Sequence, residues 1–155
     1  MPVLLLCSCA TKTERIKPVT KGLKFTAQIN FYNEEYECDT TVKQNGDTEI
    51  CFLSPVDLLG LKITYSAGGI NTSYNGLEYK YDSESLPQYS SSDIIYKIFS
   101  YTYDTVIEQD DNYYVEYISD DLNCKMQIGA TGLPIKIKEK SSRFEISIKN
   151  PTIIS

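Results

Sequence analysis

The sequence predicts a mainly β, α+β domain: an antiparallel sheet with one apolar face and one main helix to cover it. Three observations lead there. Residues 61–81, LKITYSAGGINTSYNGLEYKY, read as three short strands joined by two tight turns, because Gly68-Gly69 and Asn75-Gly76 tolerate positive φ in two-residue hairpin loops. Strict apolar alternation at period two recurs towards both ends of the chain, in LKFTAQINFY and again in IKIKEK and RFEISIKN. One stretch, DIIYKIFSYTYDTVI, instead repeats its apolar residues at helical spacing.

The totals bound the function classes. A chain of 155 residues fits one domain with a real core. Its net charge of -6 argues against a nucleic-acid partner, whose phosphates it would repel. Histidine is absent, which removes the usual neutral-pH general base and every Ser-His or Cys-His nucleophile pair, so the chain is expected to be no enzyme and to carry no cofactor. Thirteen tyrosines against five phenylalanines suit half-wet surfaces, since a phenol buries its ring and keeps its hydroxyl in water.

In chain order, residues 3–6 form an apolar run far shorter than the about twenty residues that span a bilayer. Leu6-Cys7-Ser8-Cys9 resembles the bacterial lipobox, with Leu three positions before the modified Cys and a small residue just before it. Cys9 is then the lipidated first residue of the mature protein, on the extracytoplasmic face of the cell membrane. Residues 1–9 read as the remnant of a signal peptide, residues 10–22 as a polar tether, and residues 23–155 as the single folded domain.

Phe25, Ala27, Ile29 and Phe31 form the apolar side of the first strand, and Asn33-Glu34-Glu35 turns the chain. Gln44-Asn45-Gly46 turns it again. A three-residue loop with Gly46 left-handed pairs Cys38 with Phe52 and Thr40 with Ile50, so Cys38 and Cys51 face opposite ways. Ser54-Pro55 ends the third strand, because proline cannot donate to a ladder, and VDLLG makes a short helical turn closed by Gly60. In the meander, Ala67 opposite Ile70 and Tyr74 opposite Leu77 put Ile63, Tyr65, Ala67, Ile70, Thr72, Tyr74, Leu77, Tyr79 and Tyr81 on one face.

DSESLPQYSSS reads as a polar crossing loop. Ser92 is expected to cap the helix, with Ile94, Ile95, Ile98 and Phe99 on its apolar stripe and Asp93 in its first turn; its end is open, since Thr105, Val106 and Ile107 suit an extended chain as well. Strands resume with NYYVEYIS and CKMQIG, and the terminal hairpin follows Gly132-Leu133-Pro134 with Ile135 and Ile137, then Phe144, Ile146 and Ile148, facing inward. The total is roughly nine antiparallel strands.

The acidic turns at Glu34-Glu35, Asp110-Asp111 and Asp120-Asp121 match no dedicated calcium-loop spacing, and turns favour Asp and Asn for local hydrogen bonding, so no metal site is expected. Cys38, Cys51 and Cys124 read as structural thiols, with a bridge to Cys124 left open.

The order of these elements resembles the LolA-like family of lipoprotein carriers. The resemblance runs through KFTAQINF, the strand ending in Ser54-Pro55 before a Leu-Leu turn, the aromatic meander, a helix after a polar loop, and a terminal hairpin opening with Gly-Leu-Pro. Relatives in that family include membrane-anchored lipoproteins of Gram-positive bacteria. The resemblance implies an open half-barrel whose concave face, with the helix over it, accommodates acyl chains. Phe25, Ile29, Ile63, Tyr65, Ile70, Tyr74, Tyr79, Ile98 and Phe99 would line that cavity. The implied function is a membrane-anchored lipoprotein holding a lipid or other apolar ligand. Its rival, for the same residues, is a filled core in an envelope protein-interaction or sensor module.

Overall fold

The computed structural model describes residues 15–82 and 90–155, so the lipobox with Cys9 and most of the polar stretch after Tyr81 lie outside the described residues. The elements are β1 (Leu23–Phe31), β2 (Glu34–Val42), β3 (Thr48–Ser54), a 3-10 turn (Val56–Leu58), β4 (Lys62–Ser66), β5 (Gly69–Tyr74), β6 (Leu77–Tyr81), α1 (Ser91–Ser100), β7 (Ile107–Gln109), β8 (Asn112–Ile118), β9 (Asn123–Ile128), β10 (Pro134–Glu139) and β11 (Phe144–Ile153). All 11 strands belong to one sheet, in the order β6-β5-β4-β3-β2-β1-β11-β10-β9-β8-β7. Every pairing is antiparallel. Two meanders meet where β1 pairs with β11, and α1 carries the chain from one edge strand, β6, to the other, β7.

Local chemistry explains most of the turns. Asn75 and Gly76, with φ of 50° and 79°, form the two-residue loop expected of that dipeptide. The three-residue loop after β2 is present, with Gly46 at φ 92°, Cys38 opposite Phe52 and Thr40 opposite Ile50. Two turns differ from expectation. The chain leaves β1 through Tyr32-Asn33, both at positive φ, rather than through Asn33-Glu34-Glu35, so Glu34 and Glu35 already belong to β2. Between β4 and β5 the loop is Ala67-Gly68, because Ser66 pairs with Gly69 and Tyr65 with Ile70. Position 69 takes glycine because its φ is 119° and the Tyr81 carbonyl oxygen lies 2.7 Å from where a Cβ would stand. The shift is two residues, an even number, so the predicted aromatic face survives it.

Two further differences concern the helix and β10. Ser90, not Ser92, caps α1, its hydroxyl accepting from the Asp93 N–H; the Ser92 hydroxyl instead shares a 2.8 Å hydrogen bond with the Tyr65 hydroxyl. After Ser100 the chain is no longer helical, and the β-branched tail reaches β7. In β10 the register shifts between Pro134 and Lys136, which turns Ile135 out to solvent while Ile137 stays buried. One bulged residue breaks the period-two pattern that put both isoleucines inside.

The core is the apolar face of the sheet plus α1. Phe25, Ala27, Cys38, Ile50, Met126 and Ile146 from the strands share one buried cluster with Ile94, Ile95, Ile98 and Phe99 from the helix. Phe99 lies 4.9 Å from Phe25 between ring centroids, and Tyr96 stacks on Tyr65 at 4.7 Å. Residues 15–21 run alongside this core: Ile16 and Val19 pack against it, and the Val19 N–H donates to the Gly132 carbonyl. Gly132, at φ 83°, has the Lys17 carbonyl oxygen 1.9 Å from its would-be Cβ, which is why the Gly-Leu-Pro turn needs a glycine there. At the opposite end, Glu139 is buried and bound by Arg143 through side chain and backbone N–H. Burial alone would push its carboxyl up; the Arg143 and Ser141 hydrogen bonds outweigh that and hold it below its ordinary value. Cys38, Cys51 and Cys124 are all free thiols, so the bridge to Cys124 does not form.

Three outcomes are expected of this packing. Phe99→Ala should cost about 3–5 kcal/mol in a urea titration, as the loss of a fully buried aromatic side chain. Gly132→Ala should cost ~1 kcal/mol or more and strip hydrogen-exchange protection from the Val19 amide first. Because the Glu139 carboxyl is lowered in the folded state, its contribution is complete near neutral pH and is lost as pH falls below about 4. Glu139→Gln should therefore lower stability at pH 7 and shallow its acid dependence, read as urea midpoint against pH.

Candidate functional site

A single ten-residue helix is about 15 Å long, whereas 11 strands about 4.8 Å apart span an arc of roughly 50 Å. α1 therefore covers the centre of the concave face and leaves both flanks to something else. The nine residues predicted to line a cavity divide accordingly. Phe25, Ile29, Tyr65, Ile70, Ile98 and Phe99 are brought together in one cluster and are at most 7% exposed, so the centre is packed. Ile63 is half-buried at the edge of that cluster. Tyr74 is also half-buried, its hydroxyl donating to the Asp57 carbonyl at 2.9 Å, and Tyr79 on β6 is 54% exposed.

On the other flank the concave face opens into a cleft of about 1180 Å³. One wall is the segment 15–21, and the other is the connection 102–106 that follows α1, with Tyr113 of β8 and Glu108 of β7 also lining it. Ile16, Val19, Tyr103, Val106 and Tyr113 supply its apolar surface and are half-buried against the core. Arg15, Lys17 and Lys21 stand along one wall, facing a cleft that also receives Asp104 and Glu108. The second wall is stiffened at its root. The Tyr103 hydroxyl donates to the Ile98 carbonyl at 2.8 Å, occupying an acceptor in the last turn of α1, and burial pushes the phenol well above its ordinary pKa. Tyr101 and Tyr117 meet edge to face at 5.3 Å beside it.

Periodicity was a poor guide to these residues. Ile16 and Val19 sit in a segment that reads as a polar tether, and Val106 sits where the helix pattern fades. The signal available was an apolar pair three apart around Pro18, in an otherwise polar stretch.

Chemically, the cleft offers apolar surface with mixed charge at its wall. Burial holds the Cys38 and Cys124 thiols up at about 12, so both stay protonated and unreactive at neutral pH. Among the described residues no group of three or more Cys, Asp or Glu is placed to hold a metal ion.

No protein-family model matches the chain, and no curated relative does. Among solved structures it is similar to an uncharacterized conserved protein from Thermus thermophilus, with TM-score 0.54 at 10% identity over 88% of this chain and 81% of that one. A LolA superfamily protein from Nitrosomonas europaea gives TM-score 0.47 at 11% identity over 90% and 89% of the two chains. A protein domain from Vibrio parahaemolyticus, described as outer membrane lipoprotein-sorting, gives 0.45 at 10% identity over 88% and 86%. At such identity the likeness to the Thermus protein shows shared fold and nothing more. The fold shared with it, an open antiparallel half-barrel with one helix over its concave face among the described residues, is the fold class that the order of elements in the sequence predicts.

Proposed function

We propose that this chain is a non-enzymatic protein of the bacterial envelope, held at the extracytoplasmic face of the membrane by a lipidated Cys9, that binds a lipid or another apolar ligand. The observation that carries the reading is the cleft between residues 15–21 and 102–106, which continues the concave face where α1 ends. An acyl chain laid there exchanges water for Ile16, Val19, Val106 and Tyr113, each CH₂ contributing about 0.8 kcal/mol. The site differs from the cavity expected from the resemblance, since α1 fills the middle of the half-barrel. That packed centre favours a second reading, an envelope interaction or sensor module with no ligand.

Native mass spectrometry of the full chain, expressed in bacteria and purified from membranes, separates the two. A non-covalent adduct of lipid mass, lost on denaturation, supports the first reading. Val106→Asp and Tyr113→Glu should then weaken binding of a fluorescent fatty acid by about tenfold or more, because each replaces apolar lining with a charge against the acyl chain. A protein without adduct and without fatty-acid binding supports the second. Separately, Cys9→Ala should release the protein from the membrane and remove a covalent mass; retention without lipid would refute the anchor.

A further inference from the structure

We infer that β6 is a self-pairing edge, and that two copies of this chain join through it about a two-fold axis passing beside Tyr79. The inference does not depend on what the cleft holds. β6 stands at the end of the sheet order, paired on one side with β5, and all five of its residues are exposed. Among the described residues nothing pairs with its other side, which presents a row of N–H and C=O groups and is neither bulged nor interrupted by proline.

Backbone geometry restricts how it pairs. Tyr74 and Leu77 close a two-residue hairpin and so exchange their hydrogen bonds within the chain, as do Thr72 with Tyr79 and Ile70 with Tyr81 at period two. The outward-pointing N–H and C=O groups therefore belong to Glu78 and Lys80. An antiparallel partner must set these residues opposite each other in one of three two-fold registers. Centring on Glu78 puts Glu opposite Glu, and centring on Lys80 puts Lys opposite Lys, both unfavourable. Centring on Tyr79 sets Glu78 of each copy against Lys80 of the other, twice over, with both pairs exchanging backbone hydrogen bonds.

The two faces agree on that register. On one face, neither Glu78 nor Lys80 has an ion pair within its own chain among the described residues, so both charges are available. On the other, Leu77 meets Tyr81 and Tyr79 meets its own copy, covering side chains that are 59%, 39% and 54% exposed in the single chain. The pattern LEYKY is thus complementary to itself when reversed, as an isologous interface requires. The opposite edge has no such match: β7 is Ile107-Glu108-Gln109, one acid and no base.

Sedimentation equilibrium on the full chain carrying Cys9→Ser, which removes any lipid-driven association, tests this. A monomer–dimer equilibrium is expected, with Lys80→Glu weakening it by roughly tenfold or more and the double swap Glu78→Lys/Lys80→Glu restoring it. Tyr79→Cys should give a disulfide-linked dimer on mild oxidation, because the residues beside the axis approach to about 4.5 Å between Cα atoms; Tyr74→Cys, one strand in, should not. A chain that remains monomeric at every concentration, assembles into open-ended polymers, or dimerises equally well with Lys80→Glu would overturn the proposal.

Discussion

The tilted ring contact of Phe99 with Phe25 joins the covering helix to the middle strand of the sheet, and the architecture depends on that contact. A single sheet has no second sheet to bury its apolar face, so its strands need another layer over them before their alternation has any stabilising value. α1 supplies that layer at the centre, with Ile94, Ile95, Ile98 and Phe99 all at most 2% exposed. It also joins the two edges of the sheet in sequence. The same ten residues thus close the centre of the core.

What α1 leaves uncovered is as informative as what it buries. On the β7–β8 side the segment 15–21 and the connection 102–106 both line the cleft. On the β4–β6 side no layer among the described residues covers Tyr79, and the aromatic face ends in an exposed edge. Tyrosine suits both flanks, since each ring packs on apolar surface while its hydroxyl finds water or a carbonyl, as Tyr74 finds that of Asp57 and Tyr103 that of Ile98.

The outer face of the terminal hairpin is charged rather than apolar. Lys136 and Lys138 both reach Glu145 across β10 and β11, partly exposed pairs of small energetic value that nevertheless keep this surface wet. The Glu139–Arg143 contact differs because it closes the end of the inner face. Glu139 occupies an inward position between apolar neighbours, and its carboxylate stays ionised there through the guanidinium at the turn.

By itself the sequence determined the class of fold, the faces of most strands, the loop at Gly46 and the helix stripe, because these follow from local periodicity and from backbone φ that few residues adopt. Even the move of the turn from the expected Gly68-Gly69 to Ala67-Gly68 left the face of β4 intact, since a two-residue shift in register preserves alternation. Tertiary structure alone decided the bulge that expels Ile135, the burial of Ser92 against Tyr65, and the packing of residues 15–21 over Gly132. It also decided that the predicted lining residues split between a filled centre and an open flank. Each of these depends on how far one helix reaches across a curved sheet, a distance between segments remote in sequence that no local pattern encodes.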